Sequence, residues 1–451
     1  MERIIIFGAG DRCKEFAATG LMSIYDVVAI VDNDKGKWGD RIGNVEIQSP
    51  DKGLEKDFNK ILILSYAERE IREQLKKDFG INEENFITVN ELILELCKNL
   101  LEEGCLFQMH NLFYSKMFKE EKVVLKEAIE DTRLVNRIIT SYNREIYKDN
   151  TDIDSWWTNG WVWKEKEDIH RLLRSKKFTE IREMLRNPAE NNLFVGFDSL
   201  TKNENYLTPN SLVSDGFIRL LSLVGVIRMP NSEAKQKPVA VDVDNVLDRL
   251  SEKMEMEVVF PNPYPGEVGI KTSRGIISYR TLQALYQTYR IKEILGKNAK
   301  DARVLEIGAG LGRTAYYVHQ MGIKNYTIID LPMTNVAQAY FLGRTLGEET
   351  ISLAGETNEK EVRILSADML NKLQDEKFDL ILNVDSYTEM DEESQKNYWE
   401  FIQGHTKVFL SVNHEINPHT VNEYYTNTNY RVRRSAYPMR RGYIEEEVWF
   451  E

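Results

Sequence analysis

An α/β protein with two Rossmann-like units in one chain is the fold class this sequence predicts, and three observations predict it. Short apolar runs rich in Ile, Val and Leu alternate with charged amphipathic stretches, the pattern of parallel strands joined by helices. Two of those runs, RIIIF at Arg3 and RVLEI at Arg303, lead directly into glycine turns. Far along the chain, RVRRSAYPMRRGYIEEEVWF reads as two strands around a turn near Pro438 and Gly442, an antiparallel pair beside five parallel strands.

Composition sets the outer bounds. The 451 residues suffice for two or three domains. We expect three regions: a Rossmann-like domain over 1–95, a mainly helical region over 96–264, and a second α/β domain over 265–451. The formal net charge of −13 argues against general binding to a nucleic-acid backbone. Cys13, Cys97 and Cys105 show neither metal spacing nor a disulfide framework, which fits a reducing compartment. IIIF near the N-terminus has no basic region ahead of it and reads as a strand, not a signal peptide. No apolar run approaches bilayer length, so a cytoplasmic protein is expected.

In the first region RIIIFGAG is a strand and a glycine turn, and DRCKEFAATGL follows as a helix. VVAIVDND ends a second strand at Asp32 and Asp34, KILILSY is a third, and a short strand lies near Ile87. Gly8 and Gly10 are present, but Cys13 replaces the third glycine of GxGxxG, so NAD is weakly indicated. IIIFGAGDRCKEF and AIVDNDKGKWGDRIGNVEIQSP resemble the small N-terminal domain of bacterial acetyltransferases that act on nucleotide-linked amino sugars. That resemblance implies a nucleotide-sugar site at Gly8, Gly10 and Asp32. A degenerate fold kept for docking or dimerisation is the alternative.

The pattern from Glu91 to about Tyr147 is helical, with Leu92, Leu94, Leu96, Leu100 and Leu101 among charges. Trp156, Trp157, Trp161 and Trp163 cluster around Gly160, as a sugar-stacking surface or a small core. Helical pattern returns over 167–185 and 211–223, and 231–238 reads as a loop. PNPYPGEVGIKTSRGIIS precedes a strong helix, Tyr279–Leu295. Its Lys271 and Arg274 are either phosphate contacts or solvated charges.

The second unit carries the most specific signal. In VLEIGAGLGRT, Glu306 precedes Gly308, Gly310 and Gly312, and a helix begins at Arg313. Bare backbone at such a turn admits a nucleotide closely. Asp330 ends the next strand, where an acid can accept from a ribose diol. Further strands end near Asp368, at Asn383 to Ser386, and at Asn413 to Glu415. E-x-G-x-G-x-G resembles motif I of class I S-adenosylmethionine-dependent methyltransferases. The long segments VLEIGAGLGRTAYYVHQMGIKNYTIIDLPMTNVAQAYFLG, NVDSYTEMD and LSVNHEINPHT resemble a bacterial family of sugar O-methyltransferases over residues 265–451.

The resemblance implies a class I methyltransferase sheet and methylation of a sugar hydroxyl during surface-glycan assembly. It also implies S-adenosylmethionine held by Glu306, the three glycines, Asp330, Asp368 and Asn383. A sugar hydroxyl needs a base or metal to take its proton. His414 is the first choice as base; Asp385, either orienting it or acting itself, Glu389, Glu415 and His419 stand at the same strand ends. Mg²⁺ between Asp385 and Glu415 is the metal alternative. Tyr387 and Trp399 read as core. Arg431, Arg433, Arg434, Arg440 and Arg441 read either as edge charges or as a patch for the diphosphate of a nucleotide-sugar or lipid-linked glycan. Two other functions stay open: an NAD enzyme working from the first unit, and a scaffold of glycan assembly. Self-association is also open.

Overall fold

The computed structural model describes residues 3–18, 22, 25–65, 67–89, 91–92, 120–125, 129–146, 161–188, 191, 193, 209–228, 242–417, 419–426 and 430–450. The chain divides into two compact units, residues 1–108 with 205–207, and 109–204 with 208–451. Cys97, Cys105, Leu94, Leu96, Leu100, Leu101, Trp156, Trp157, Gly160 and the 231–238 loop lie outside the described residues. Trp161 and Trp163 belong to a helix, but their side chains lie outside as well.

The first unit is a six-stranded sheet. Its strands are β1 (Arg3–Phe7), β2 (Asp26–Val31), β3 (Arg41–Ile42), β4 (Val45–Gln48), β5 (Lys60–Ile63) and β6 (Phe86–Ile87), in the order β3-β4-β2-β1-β5-β6. All pairings are parallel except the β3–β4 hairpin. Alternation along β1 explains its two-sided burial: Ile4 and Ile6 enter one apolar cluster, Ile5 and Phe7 the opposite one. Helices α1 (Asp11–Ala18), α2 (Pro50–Leu54) and α3 (Glu68–Phe79) join the strands. Ser49 starts α2 by accepting from the Lys52 N–H, with Pro50 in the first turn.

The second unit holds both the middle helices and the large sheet. Its helices begin with α4 (Thr132–Ile146), α5 (Trp161–Ser175), α6 (Phe178–Arg186), α7 (Pro209–Leu223), α8 (Val243–Met254) and α9 (Tyr279–Leu295). The helical reading of 91–147 fails at Glu120–Lys122, which forms strand β7. It pairs with β8 (Val268–Thr272), and β8 pairs with β9 (Gly275–Ile277). Three-residue strands are too short to show an alternation. Lys271 pairs with Glu121 and Arg274 with Asp248, so both cations are tied to protein acids.

The large sheet comprises β10 (Arg303–Ile307), β11 (Asn325–Asp330), β12 (Ile351–Leu353), β13 (Val362–Ser366), β14 (Leu380–Val384), β15 (Val408–His414), β16 (Arg431–Ala436) and β17 (Tyr443–Trp449). The order is β12-β13-β11-β10-β14-β15-β17-β16, parallel except where β17 meets β15 and β16. This is a Rossmann-like sheet with a terminal antiparallel hairpin. The connecting helices are α10 (Arg313–Gln320), α11 (Pro332–Thr345) and α12 (Glu392–His405). Tyr387 and Trp399 are core, 0% and 6% exposed.

Among the described residues, three groups of buried polar side chains brace this unit. Asp131 heads α4 with its carboxylate wholly buried. Arg182 Nε (2.7 Å) and Arg186 Nε (3.0 Å) from α6 donate to it, as does the Tyr340 hydroxyl (2.6 Å) from α11. Burial alone would raise its pKa; the donors Arg186, Tyr340 and Arg182 outweigh that and hold it below the usual range. In β17, Glu445 and Glu447 face buried Arg290 of α9, with Arg290 Nε 2.8 Å from Glu445. Between them Glu446 points the other way and accepts from the Tyr425 hydroxyl (2.5 Å). The third is Glu306 in the centre of β10, 2% exposed, accepting from the Tyr326 hydroxyl at 2.8 Å. Burial pushes its pKa up to about 8, while the Tyr326 bond opposes the rise.

Two outcomes follow. Asp131→Ala takes the carboxylate from two arginines, leaving them the Ile129 carbonyl, and should lower stability by about 3–5 kcal/mol in urea unfolding, with Asp131→Asn less harmful. Glu306 keeps its proton in the folded state up to about pH 8, whereas the unfolded chain releases it near 4.5. The folded state therefore binds more protons across that window, and stability falls as pH rises, by on the order of 1 kcal/mol per unit. Urea unfolding from pH 5 to 8 should show this slope lost in Glu306→Gln. A slope identical to the native chain's would refute it.

Candidate functional site

The site lies where β10 has neighbours β11 on one side and β14 on the other, so connections leave in opposite directions and open a crevice at the strand ends. Ile307 is level with Ile329 and with Asn383. Past it the chain runs through Gly308 (φ +74°), Gly310 (φ +58°) and Gly312 (φ +84°) into α10. These dihedrals favour glycine. At Gly308 space demands it too: a Cβ would sit 2.0 Å from Ser386 Oγ.

Asp330 closes the turn from β11. Its Oδ2 accepts from the Gly310 N–H (3.2 Å) and the Gln338 amide (2.6 Å), and Oδ1 from the Leu331 N–H (2.7 Å). Asp368 follows β13 in a short turn, and its Oδ1 is buried without a hydrogen-bond partner. The Tyr398 phenol of α12 stands near both acids; burial first, and then their negative charges, raise its pKa. Tyr398 had no sequence signal, because its place beside the two acids comes from packing of α12. Gln338 Oε1 is a further buried acceptor lacking a donor. Acceptors in want of donors suit a ligand rich in hydroxyl and amino hydrogens, such as an adenosine. The glycine cradle and these acceptors fit S-adenosylmethionine.

Glu306 and Asn383 work underneath. Glu306 is held in the sheet by Tyr326. The Asn383 amide donates to the Ile307 carbonyl (2.9 Å) and Ser386 Oγ (2.7 Å), and accepts from the Tyr387 N–H (3.1 Å) and the Asn413 amide (2.9 Å). It splices β10, β14 and β15 at their ends.

Asp385, Glu389 and His414 come together: one ligand atom from each lies within 4.8 Å of the others. His414 Nε2 is 3.8 Å from Glu389 Oε1, its Nδ1 is buried without a partner, and its ring stands edge-on to Tyr443. Asp385 has the left-handed conformation at φ +58°. Its Oδ1 accepts from the Tyr443 hydroxyl and its Oδ2 from Arg440, each at 2.5 Å, and Arg280 stands 3.8 Å away. Both oxygens of Asp385 are thus engaged beside two guanidinium charges. With imidazole as the third donor, this set does not fit Mg²⁺, which favours oxygen ligands and its own waters. Glu415 is elsewhere, paired with Arg434, and His419 is 43% exposed beside Glu423. Of the hairpin arginines, Arg431 lies over Trp449, Arg433 and Arg434 pair with Glu447 and Glu446, and Arg440 reaches Asp385.

In the first unit the same signals have local explanations. A Cβ on Gly8 would sit 2.7 Å from the Leu64 carbonyl oxygen, so the chain just past β5 demands that glycine. Asp32, 8% exposed, accepts from the Ala9 N–H (2.7 Å), the Asp34 N–H (2.8 Å) and Lys37 (3.1 Å). Burial would raise its pKa, but those donors lower it. Trp38 donates to the Asp32 carbonyl (2.8 Å), so the KWG run wraps this acid. Gly10 has open space around it. Burial pushes the Cys13 thiol up to about 11.

Comparison with known proteins gives three results. A family described as C2185-like, N-terminal, matches residues 1–87. No curated protein matches the chain. Among solved structures, an O-methyltransferase from Bacillus cereus in complex with SAH is 13% identical, with a TM-score of 0.28, over 46% of this chain and 97% of that one. Magnesium protoporphyrin IX methyltransferase from Synechocystis, with bound SAM, is 11% identical, with a TM-score of 0.30, over 38% and 80%. The methyltransferase domain of a bacterial Hen1 is 13% identical, with a TM-score of 0.28, over 38% and 100%. At such TM-scores no residue role is carried over from these structures. Among the described residues no helix is long and apolar enough to cross a membrane.

Proposed function

We propose that this chain transfers a methyl group from S-adenosylmethionine to a sugar hydroxyl in bacterial surface-glycan assembly, working in the cytoplasm. The observation that carries the cofactor assignment is the glycine turn. It has three left-handed residues and no room for a Cβ at Gly308. It is tied to Asp330, with the orphan Asp368 Oδ1 and Tyr398 nearby. The sugar acceptor rests on the sequence resemblance over 265–451.

When bound, S-adenosylmethionine supplies an electrophilic methyl group on a sulfonium centre. The turn from Gly308 to Gly312 would hold its methionine part, Asp330 would hold the ribose diol, and Asp368 Oδ1 would accept from the adenine amine. His414 takes the proton of the acceptor hydroxyl, and Glu389 stabilises the resulting imidazolium. Asp385, engaged by Arg440 and Tyr443, orients and does not abstract. The carboxyl ends of β14 and β15 aim the acceptor along the sulfur–methyl axis and exclude water.

Two variants separate binding from chemistry. Asp330→Ala removes hydrogen bonds worth about 1.5–3 kcal/mol each and also frees the Gly310 N–H, so affinity for S-adenosylhomocysteine should fall roughly ten-fold or more by calorimetry. His414→Ala should leave that affinity nearly unchanged while turnover falls on the order of 10²–10⁴-fold. An unmutated chain with no affinity for S-adenosylhomocysteine ends the proposal. Near-normal turnover in His414→Ala moves the base to Glu389.

A further inference from the structure

Arg280 and Arg440 come from distant stretches of chain, the first turn of α9 and the turn between β16 and β17, yet both face Asp385. One carboxylate thus meets two guanidinium groups and a tyrosine hydroxyl, with Glu389 as the second acid of the cluster. Arg440 is fixed: its Nη1 binds Asp385 Oδ2 and its guanidinium lies 4.1 Å over the Tyr443 ring. Arg280 is not fixed in this way. It stands 3.8 Å from Asp385, beyond hydrogen-bond reach, and its Nε is buried without a partner. Burial first, and then the charge of Arg440, lower its pKa, the response of a cation short of compensation.

We infer that Arg280 and Arg440 form an anion subsite for the acceptor, which carries a carboxylate or phosphate on the same sugar that is methylated. The inference rests on the methyl-transfer reading for its orientation. Asp385 lies within 4.8 Å of the proposed base, His414. An anion at the guanidinium pair is therefore about one sugar ring from the reacting hydroxyl. A planar guanidinium matches either anion in bidentate fashion. Asp385, strained at φ +58°, holds Arg440 in place before the acceptor arrives. A neutral sugar would leave the Arg280 Nε buried and unpaired, so the site rejects it.

The test is calorimetry on the full chain in the presence of S-adenosylhomocysteine. The probes are glucose 1-phosphate, glucuronate and neutral methyl glucoside, added to the unmutated chain, Arg440→Gln, Arg440→Lys and Arg280→Gln. We expect at least one charged sugar to bind ten-fold or more tighter than the neutral one. Either glutamine variant should abolish that preference, and Arg440→Lys should keep part of it. The stronger of the two charged sugars identifies phosphate or carboxylate. Equal binding of charged and neutral sugars, or no binding of either charged sugar at millimolar concentration, overturns the inference. So does loss of S-adenosylhomocysteine affinity in both Arg440 variants at unchanged melting temperature, which gives the arginines to the cofactor's own carboxylate. Failure of the unmutated chain to bind S-adenosylhomocysteine sinks the methyl-transfer reading instead. Sugar binding measured without it then still judges the anion subsite.

Discussion

A carboxylate on the second strand that holds the glycine turn after the first is the interaction on which both Rossmann-like units depend. Turn N–H groups that have left the sheet need an acceptor, and a charged one fixes them strongly. Asp330 does this for Gly310 and Asp32 for Ala9. What else touches the acid then separates the units. Lys37 pairs with Asp32, with Trp38 packed beside it, whereas Asp330 accepts from the amide of Gln338.

The turn also dictates what surrounds it. Because Gly308 lacks a Cβ, Ser386 can approach, and Asn383 can reach across to Ile307. That approach fixes where β14 ends and leaves Asp385 in a left-handed conformation. Its N–H to the Val412 carbonyl, Arg440 and Tyr443 hold it there. The Asp385 side of the crevice inherits its geometry from one missing methyl group.

Much of this was legible in the residues. Strand alternation, glycine spacing and the final hairpin all leave periodic signals, and Asp385 and His414 could be placed at strand ends from those signals. The core reading of Tyr387 and Trp399 matches the structure, whereas Lys271 and Arg274, read as phosphate contacts or solvated charges, are paired with Glu121 and Asp248. Other features leave no local trace. Asp131 with Arg182, Arg186 and Tyr340, and Arg280 with Asp385, are partnerships between distant segments, and only the packed fold brings them together. The strands β7 and β12 have three residues each, too few to carry a period. Glu306 reads as a ligand group by motif, yet Tyr326 holds it inside the sheet, a fact that depends on which face of β10 it occupies.

The placement of β17 bears on how the protein is made. It inserts between β15 and β16, so a strand made after both of its neighbours completes the interior of the sheet. Until it arrives, β15 is an open edge, β16 has no neighbour, and Arg290 of α9 lacks Glu445 and Glu447. A nascent chain halted before Tyr443 therefore exposes an unpaired edge and a buried cation that destabilises the packed state.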